Sequence, residues 1–137
     1  MNKKDIIFRF IKELEKRNLL TKFIANIFDY NNFHDYNYLF RIINDNNKTI
    51  IDIYDNISDN RFNRYIFDFE INNNETKVIE EGNVFITYIN VLKQADSTNK
   101  LYKLAYLTKL DKHQIIKYAS TFLNKELVDI LADIIKK

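Results

Sequence analysis

The chain contains no cysteine and no proline, and its one glycine is Gly82. Without thiolates it cannot build a Cys-type zinc site, an iron–sulfur cluster or a disulfide framework. Only two histidines, His34 and His113, are present, and they stand far apart in the sequence. A hard-cation site for Mg²⁺ or Mn²⁺ stays open, because such ions need only oxygen ligands and nineteen Asp and Glu are present. Long apolar runs are missing too. No segment approaches the roughly 18 apolar residues needed to span a bilayer. Arg9 interrupts the apolar stretch that follows the start Met1-Asn2-Lys3-Lys4-Asp5. We therefore expect a soluble, cytoplasmic protein of a bacterial or infected host cell, without a membrane partner. Nucleophilic catalysis also lacks its parts. The serines are Ser58, Ser97 and Ser120, neither histidine lies in a nucleophile motif, and no Gly-rich loop or Walker-type lysine occurs. No catalytic residue and no cofactor are expected, and the chain reads as a non-enzyme.

Scarcity of glycine and proline has a structural consequence. Turns that need φ > 0 must fall to Asn and Asp, which tolerate the left-handed region best among residues with a side chain. The nineteen Asn residues therefore mark the turns.

What the chain does contain is core material: 46% hydrophobic residues, with eleven Phe, nine Tyr and twenty-one Ile in 137 positions. That supports one folded domain over residues 1–137 and is unlike a disordered segment. The excess of Ile, Asn, Lys, Phe and Tyr matches an adenine- and thymine-rich coding sequence, as in low-GC bacteria, their phages and plasmids, and some large viruses.

Apolar residues Ile6, Ile7, Phe10, Ile11 and Leu14 form the stripe of an amphipathic helix over residues 3–17. Asn18 is its expected stop, and a second helix over residues 19–28 places Leu20, Phe23, Ile24 and Ile27 on one face. The segment 29–38 reads as a loop. Two strands then flank the Asn-rich turn at 45–48, and Arg64 to Ile71 alternates cleanly, with Tyr65, Phe67, Phe69 and Ile71 on one face. Asn72–Asn74 and Gly82-Asn83 read as turns around a strand at 76–80, with a fifth strand at 84–89. A helix capped by Asn83 over residues 84–95 is the alternative. Helical periodicity returns from Leu101, and Asp111 with Gln114 forms a capping-box pattern ahead of a stripe to Ile135 that is one long helix or two bent at Asn124. Together these predict an α+β fold: N-terminal helices, a four- or five-stranded antiparallel meander, and C-terminal helices packed on one face of the sheet.

Charge is uneven along this order: +4 over residues 1–28, −5 over 29–100 and +3 over 101–137. The helical ends are basic and the sheet is acidic. Tyr30, Phe33, Tyr36 and Tyr38, with Phe28 and Phe40, interleave with Asn residues and His34. Rigid rings beside adaptable amides are the chemistry of a recognition surface. Alternatively the rings close the sheet edge over the core. With Asp52, Asp68, Glu70 and Glu80 on an acidic sheet face, this segment is the expected partner-binding surface toward a basic protein groove. The basic ends offer another: Lys3, Lys4, Arg9, Lys12, Lys16, Arg17, Lys109 and Lys112 could neutralise phosphates if they share a face.

Asp68 followed by Glu75-Thr76-Lys77 resembles the Asp…Glu-x-Lys signature of the restriction-endonuclease-like nucleases. That resemblance implies Mg²⁺ held by Asp68 and Glu75, with Lys77 beside the attacking water. The family's core has a crossover helix between strands, whereas hairpin spacing is read here. The leading expectation is a non-enzymatic accessory or inhibitor protein of a mobile genetic element, acting by protein–protein contact as anti-defence inhibitors or immunity proteins do. A nucleic-acid-binding role is the alternative, and a strand edge pairing two copies into a homodimer is open.

Overall fold

The computed structural model describes residues 5–27, 38–55, 61–71, 75–81, 86–90 and 100–136. Helix α1 (Asp5–Lys16) buries Ile6, Ile7, Phe10, Ile11 and Leu14, the whole stripe read from the sequence. It stops at Asn18, which takes φ 60°. There the Asn18 N–H donates to the Glu15 carbonyl at 3.1 Å and the Leu19 N–H to the Leu14 carbonyl at 2.8 Å. Those two bonds are the Schellman pattern, and they satisfy carbonyls that the helix end would otherwise leave unpaired. Helix α2 (Leu20–Ile27) starts at once and folds back on α1, with Phe10 and Phe23 edge to face at 5.5 Å.

Five strands follow: β1 (Tyr38–Asp45), β2 (Lys48–Asp55), β3 (Arg61–Ile71), β4 (Glu75–Glu81) and β5 (Ile86–Asn90). They pair antiparallel in the order β1-β2-β3-β4-β5, an uninterrupted meander. Within the 84–95 segment, the described residues 86–90 are strand and not the alternative helix. The β1–β2 turn has φ 52° at Asn46, the first of its two central residues, and not at Asn47. Positive φ at that position alone is the type II′ pattern, which suits the twist of a hairpin.

Helix α3 (Lys100–Tyr106) runs into a short 3₁₀ turn at Leu107–Lys109, followed by α4 (Lys112–Ala119) and α5 (Lys125–Lys136). At the start of α4 the Asp111 N–H donates to the Gln114 side-chain oxygen at 3.2 Å, completing the capping box. The apolar stripe beyond it is carried by two helices. Ser120 and Thr121 turn their hydroxyls back onto the Ile116 and Tyr118 carbonyls at 2.7 and 2.6 Å, and Asn124 accepts the Leu127 N–H at 3.0 Å as the cap of α5. Such side-chain bonds compete with helix continuation and favour a new start. All five helices contribute to one apolar cluster with Ile51, Ile53, Tyr65, Phe67, Phe69 and Val78, so the helices cover one face of the sheet. Among the described residues no helix is long and apolar enough to cross a membrane.

Candidate functional site: the sheet face turned away from the helices

Strand periodicity sends residues adjacent to the core positions to the opposite face of the sheet. Read across the strands, the middle of that face carries three rows. The middle row is Ile43, Ile50, Ile66 and Ile79 in register on β1 to β4, with Tyr88 at the matching position of β5. These four isoleucines are half-buried and lie outside the core cluster. On one side runs Arg41, Asp52, Arg64 and Glu81 in register, and on the other Asp45, Lys48, Asp68 and Lys77. Each flanking row alternates in sign. An apolar file is thus bracketed by charges, the layout of an interface core and rim.

The Asp52 row is the most tightly built. Asp52 has no exposed surface. Arg64 donates to it twice, Nε to Oδ1 at 2.5 Å and Nη2 to Oδ2 at 2.9 Å. Arg61 stands 4.0 Å from Asp52 Oδ1 and 3.8 Å from Glu81 Oε2, linking β2 to β4 across the intervening strand. A carboxylate withdrawn from water needs such compensation, and a two-pronged guanidinium supplies it with fixed geometry. The hydrogen bond to Asp52 raises the Arg64 pKa above its ordinary value. In the other row, Lys48 Nζ lies 3.9 Å from Asp68 Oδ2, and Asp68 is buried.

These contacts correct the expectation of an acidic sheet face. Asp52 and Asp68 are buried beside Arg64, Arg61 and Lys48, so the face is charge-compensated, with both signs presented in order. Glu80 stands opposite Tyr65 in the register and so belongs to neither charged row. Glu70 falls within a register irregularity of β3, and its side chain lies outside the described set. Tyr38 opens β1 opposite Asp55. Tyr30, Phe33, His34 and Tyr36 lie outside the described residues, as do Phe28, Lys3 and Lys4. Phe40 is half-buried and packs against the core.

The pair that the nuclease resemblance would place on a metal, a remote alternative to the expectation of none, is arranged as part of a hairpin. Asp68 is opposite Lys77, and Glu75 is opposite Ile71 beyond a register shift. Among the described residues no group of three or more Asp, Glu or His could hold a metal ion. Among the described residues the strands pair with their neighbours in sequence, all antiparallel, unlike a core whose strands are joined by a crossover helix.

The basic helical ends are mixed in sign. On α1, Lys12 is 3.2 Å from Glu15 and Arg17, just past its end, is 2.9 Å from Glu13. Arg9, Lys12 and Lys16 line a shallow groove with Phe8 and Ile134, and Glu13 and Glu15 line it too. Lys109 sits half-buried in the 3₁₀ turn, and Lys112 is exposed at the start of α4. Sequence reasoning missed the isoleucine file and Arg61. Runs such as Thr49-Ile50-Ile51-Asp52-Ile53-Tyr54 place apolar residues on both faces, and only the register shows which line up. No family model, curated protein or solved structure matches this chain.

Proposed function

We propose that this protein is a non-enzymatic binding module that docks another protein on the sheet face turned away from its helices and acts by covering that partner's surface. The single observation carrying the reading is the file Ile43, Ile50, Ile66 and Ile79 between two rows of alternating charge. Half-buried isoleucines supply apolar contact area, and β strands hold them rigid, so little conformational freedom is lost on binding. The flanking charges set orientation and reject partners whose charges do not alternate in step. The partner this fits is a protein surface with an apolar ridge and both signs of charge beside it. An inhibitor or immunity role, as expected for a small mobile-element protein, is the setting in which such occlusion serves. The groove beside α1 supports a nucleic-acid role less well, because Glu13 and Glu15 stand among its cations.

The test is affinity capture from native lysate with the unaltered chain and with an Ile50→Ser, Ile66→Ser double variant of matched folding by circular dichroism. A protein held in stoichiometric amount by the first and lost by the second supports the reading. Equal capture by both, or capture of nucleic acid with a steep salt dependence, would overturn it.

A further inference from the structure

We infer that two copies of this chain pair through their β1 strands, antiparallel across a two-fold axis at Ile43, joining two sheets into one of ten strands. The inference stands on β1 and does not rest on the partner-binding reading. Strand β1 is an edge of the sheet, with β2 as its strand neighbour among the described residues. It is eight residues long and pairs with β2 through Tyr38–Asp45 without a register shift. It has no proline and no lysine. Edge strands that stay single are kept so by short length, bulges, proline, charged side chains or a covering segment; β1 is long, unbulged and free of proline and lysine, and its two charges, Arg41 and Asp45, are of opposite sign and so can pair between copies. Its outward residues are accessible: Arg41 and Asp45 are exposed, and Leu39 is 48% exposed, the largest apolar exposure among the described residues.

Charge selects the register. A two-fold axis perpendicular to the sheet keeps each face on its own side, so it must fall on a residue. An axis at Arg41 sets that arginine against its own copy. An axis at Ile42 sets Arg41 against Ile43 and Leu39 against Asp45. An axis at Ile43 sets Arg41 against Asp45 of the second copy, twice by symmetry, with Ile42 opposite Asn44. Only this last register among the three sets opposite charges face to face, the favourable cross-strand arrangement. It also sets Ile43 against Ile43, so the isoleucine file runs unbroken from Ile79 of one copy to Ile79 of the other.

Sedimentation of the full chain over a micromolar to submillimolar range tests it, with a reversible dimer expected. Arg41→Asp and Asp45→Arg are each expected to weaken dimerisation about tenfold, since each turns two attractive pairs into two repulsive ones. The double reversal is expected to restore it, which damage to the fold would not do. The chain has no cysteine of its own, so Ile43→Cys places one thiol on the axis, where antiparallel partners come within disulfide reach. It is expected to crosslink under oxidation, and Asn46→Cys, off the axis, is not. A chain that stays monomeric overturns the inference. So does a dimer that survives both single reversals, that the double reversal fails to restore, or that crosslinks through Asn46→Cys and not through Ile43→Cys.

Discussion

Asp52 and Arg64 face each other on neighbouring strands, the carboxylate wholly buried and the guanidinium bound to both of its oxygens. The pair lies on the face away from the hydrophobic core, with Arg61 as a second cation beside the carboxylate. It ties β2 to β3 at the position where the charged row crosses the sheet, and it gives that row a fixed sequence of signs.

Removing Arg64 takes away both of the hydrogen bonds that it gives to the buried Asp52 carboxylate. Arg64→Ala is expected to destabilise the fold by about 2–4 kcal/mol, the lower part of this range reflecting the Arg61 charge that remains at 4.0 Å. Arg64→Lys should recover part of the loss, because an ammonium carries the charge without the two-pronged geometry. Urea unfolding of the two variants checks both. Equal stability of Arg64→Ala and the unaltered chain would mean that Asp52 is compensated by other groups.

Ile50 and Ile51 are adjacent in sequence and lie on opposite faces. Ile51 is completely buried in the core cluster, while Ile50 is half-buried in the outer file. Ile51→Ala is expected to cost about 3 kcal/mol, by lost transfer energy and the cavity left behind, and Ile50→Ala about 1 kcal/mol. Chemical denaturation of the two single variants distinguishes the faces. A reversed ranking would require β2 to present its other side to the helices.

Local patterns were legible where one residue's neighbours in sequence decide its environment. The Ile6 to Leu14 stripe predicts α1, Asn18 predicts its stop, and the alternation from Tyr65 to Phe69 predicts which side of β3 is buried. Cross-strand relations were less legible. The turn at Asn46 and Asn47 implies Arg41 opposite Asp52, but the β2–β3 register shifts between Ile53 and Tyr54, and no spacing in the sequence announces that shift. For this reason the acidic residues of the sheet read as a free negative face, although Arg64 and Lys48 stand against them. The division between α4 and α5 was ambiguous for a related reason. The apolar stripe continues through Phe122 and Leu123, whereas the break is made by the hydroxyls of Ser120 and Thr121 and by the amide of Asn124.

Among the described residues two asparagines hold left-handed conformations, Asn18 at φ 60° and Asn46 at φ 52°. Glycine enters that region without steric cost, whereas a residue with a Cβ meets the carbonyl oxygen. Asn46→Gly is therefore expected to be neutral or slightly stabilising, because type II′ turns favour glycine at this position. Asn18→Ala is expected to cost about 1 kcal/mol. Thermal unfolding at constant buffer gives the comparison, and an Asn18→Ala chain as stable as the unaltered one would show that the α1 terminus has another way to close.

Thr49 offers the reverse case, a substitution expected to strengthen the fold. It lies on the helix-facing side of β2 opposite Phe67, fully buried, and its hydroxyl oxygen finds no hydrogen-bond partner among the described residues. A hydroxyl removed from water without a partner forfeits its hydration and gains nothing in return. Valine has nearly the same shape and the same branching at Cβ, so it keeps the packing and the strand preference while removing the polar atom. Thr49→Val is expected to raise the unfolding free energy by about 1 kcal/mol, and Thr49→Ser, which keeps the hydroxyl and loses the methyl, to lower it by a similar amount. Paired urea titrations measure both signs. A destabilised Thr49→Val chain would mean that the hydroxyl is satisfied, and the helix-facing side of β2 would then contain a polar contact absent from the arrangement described above.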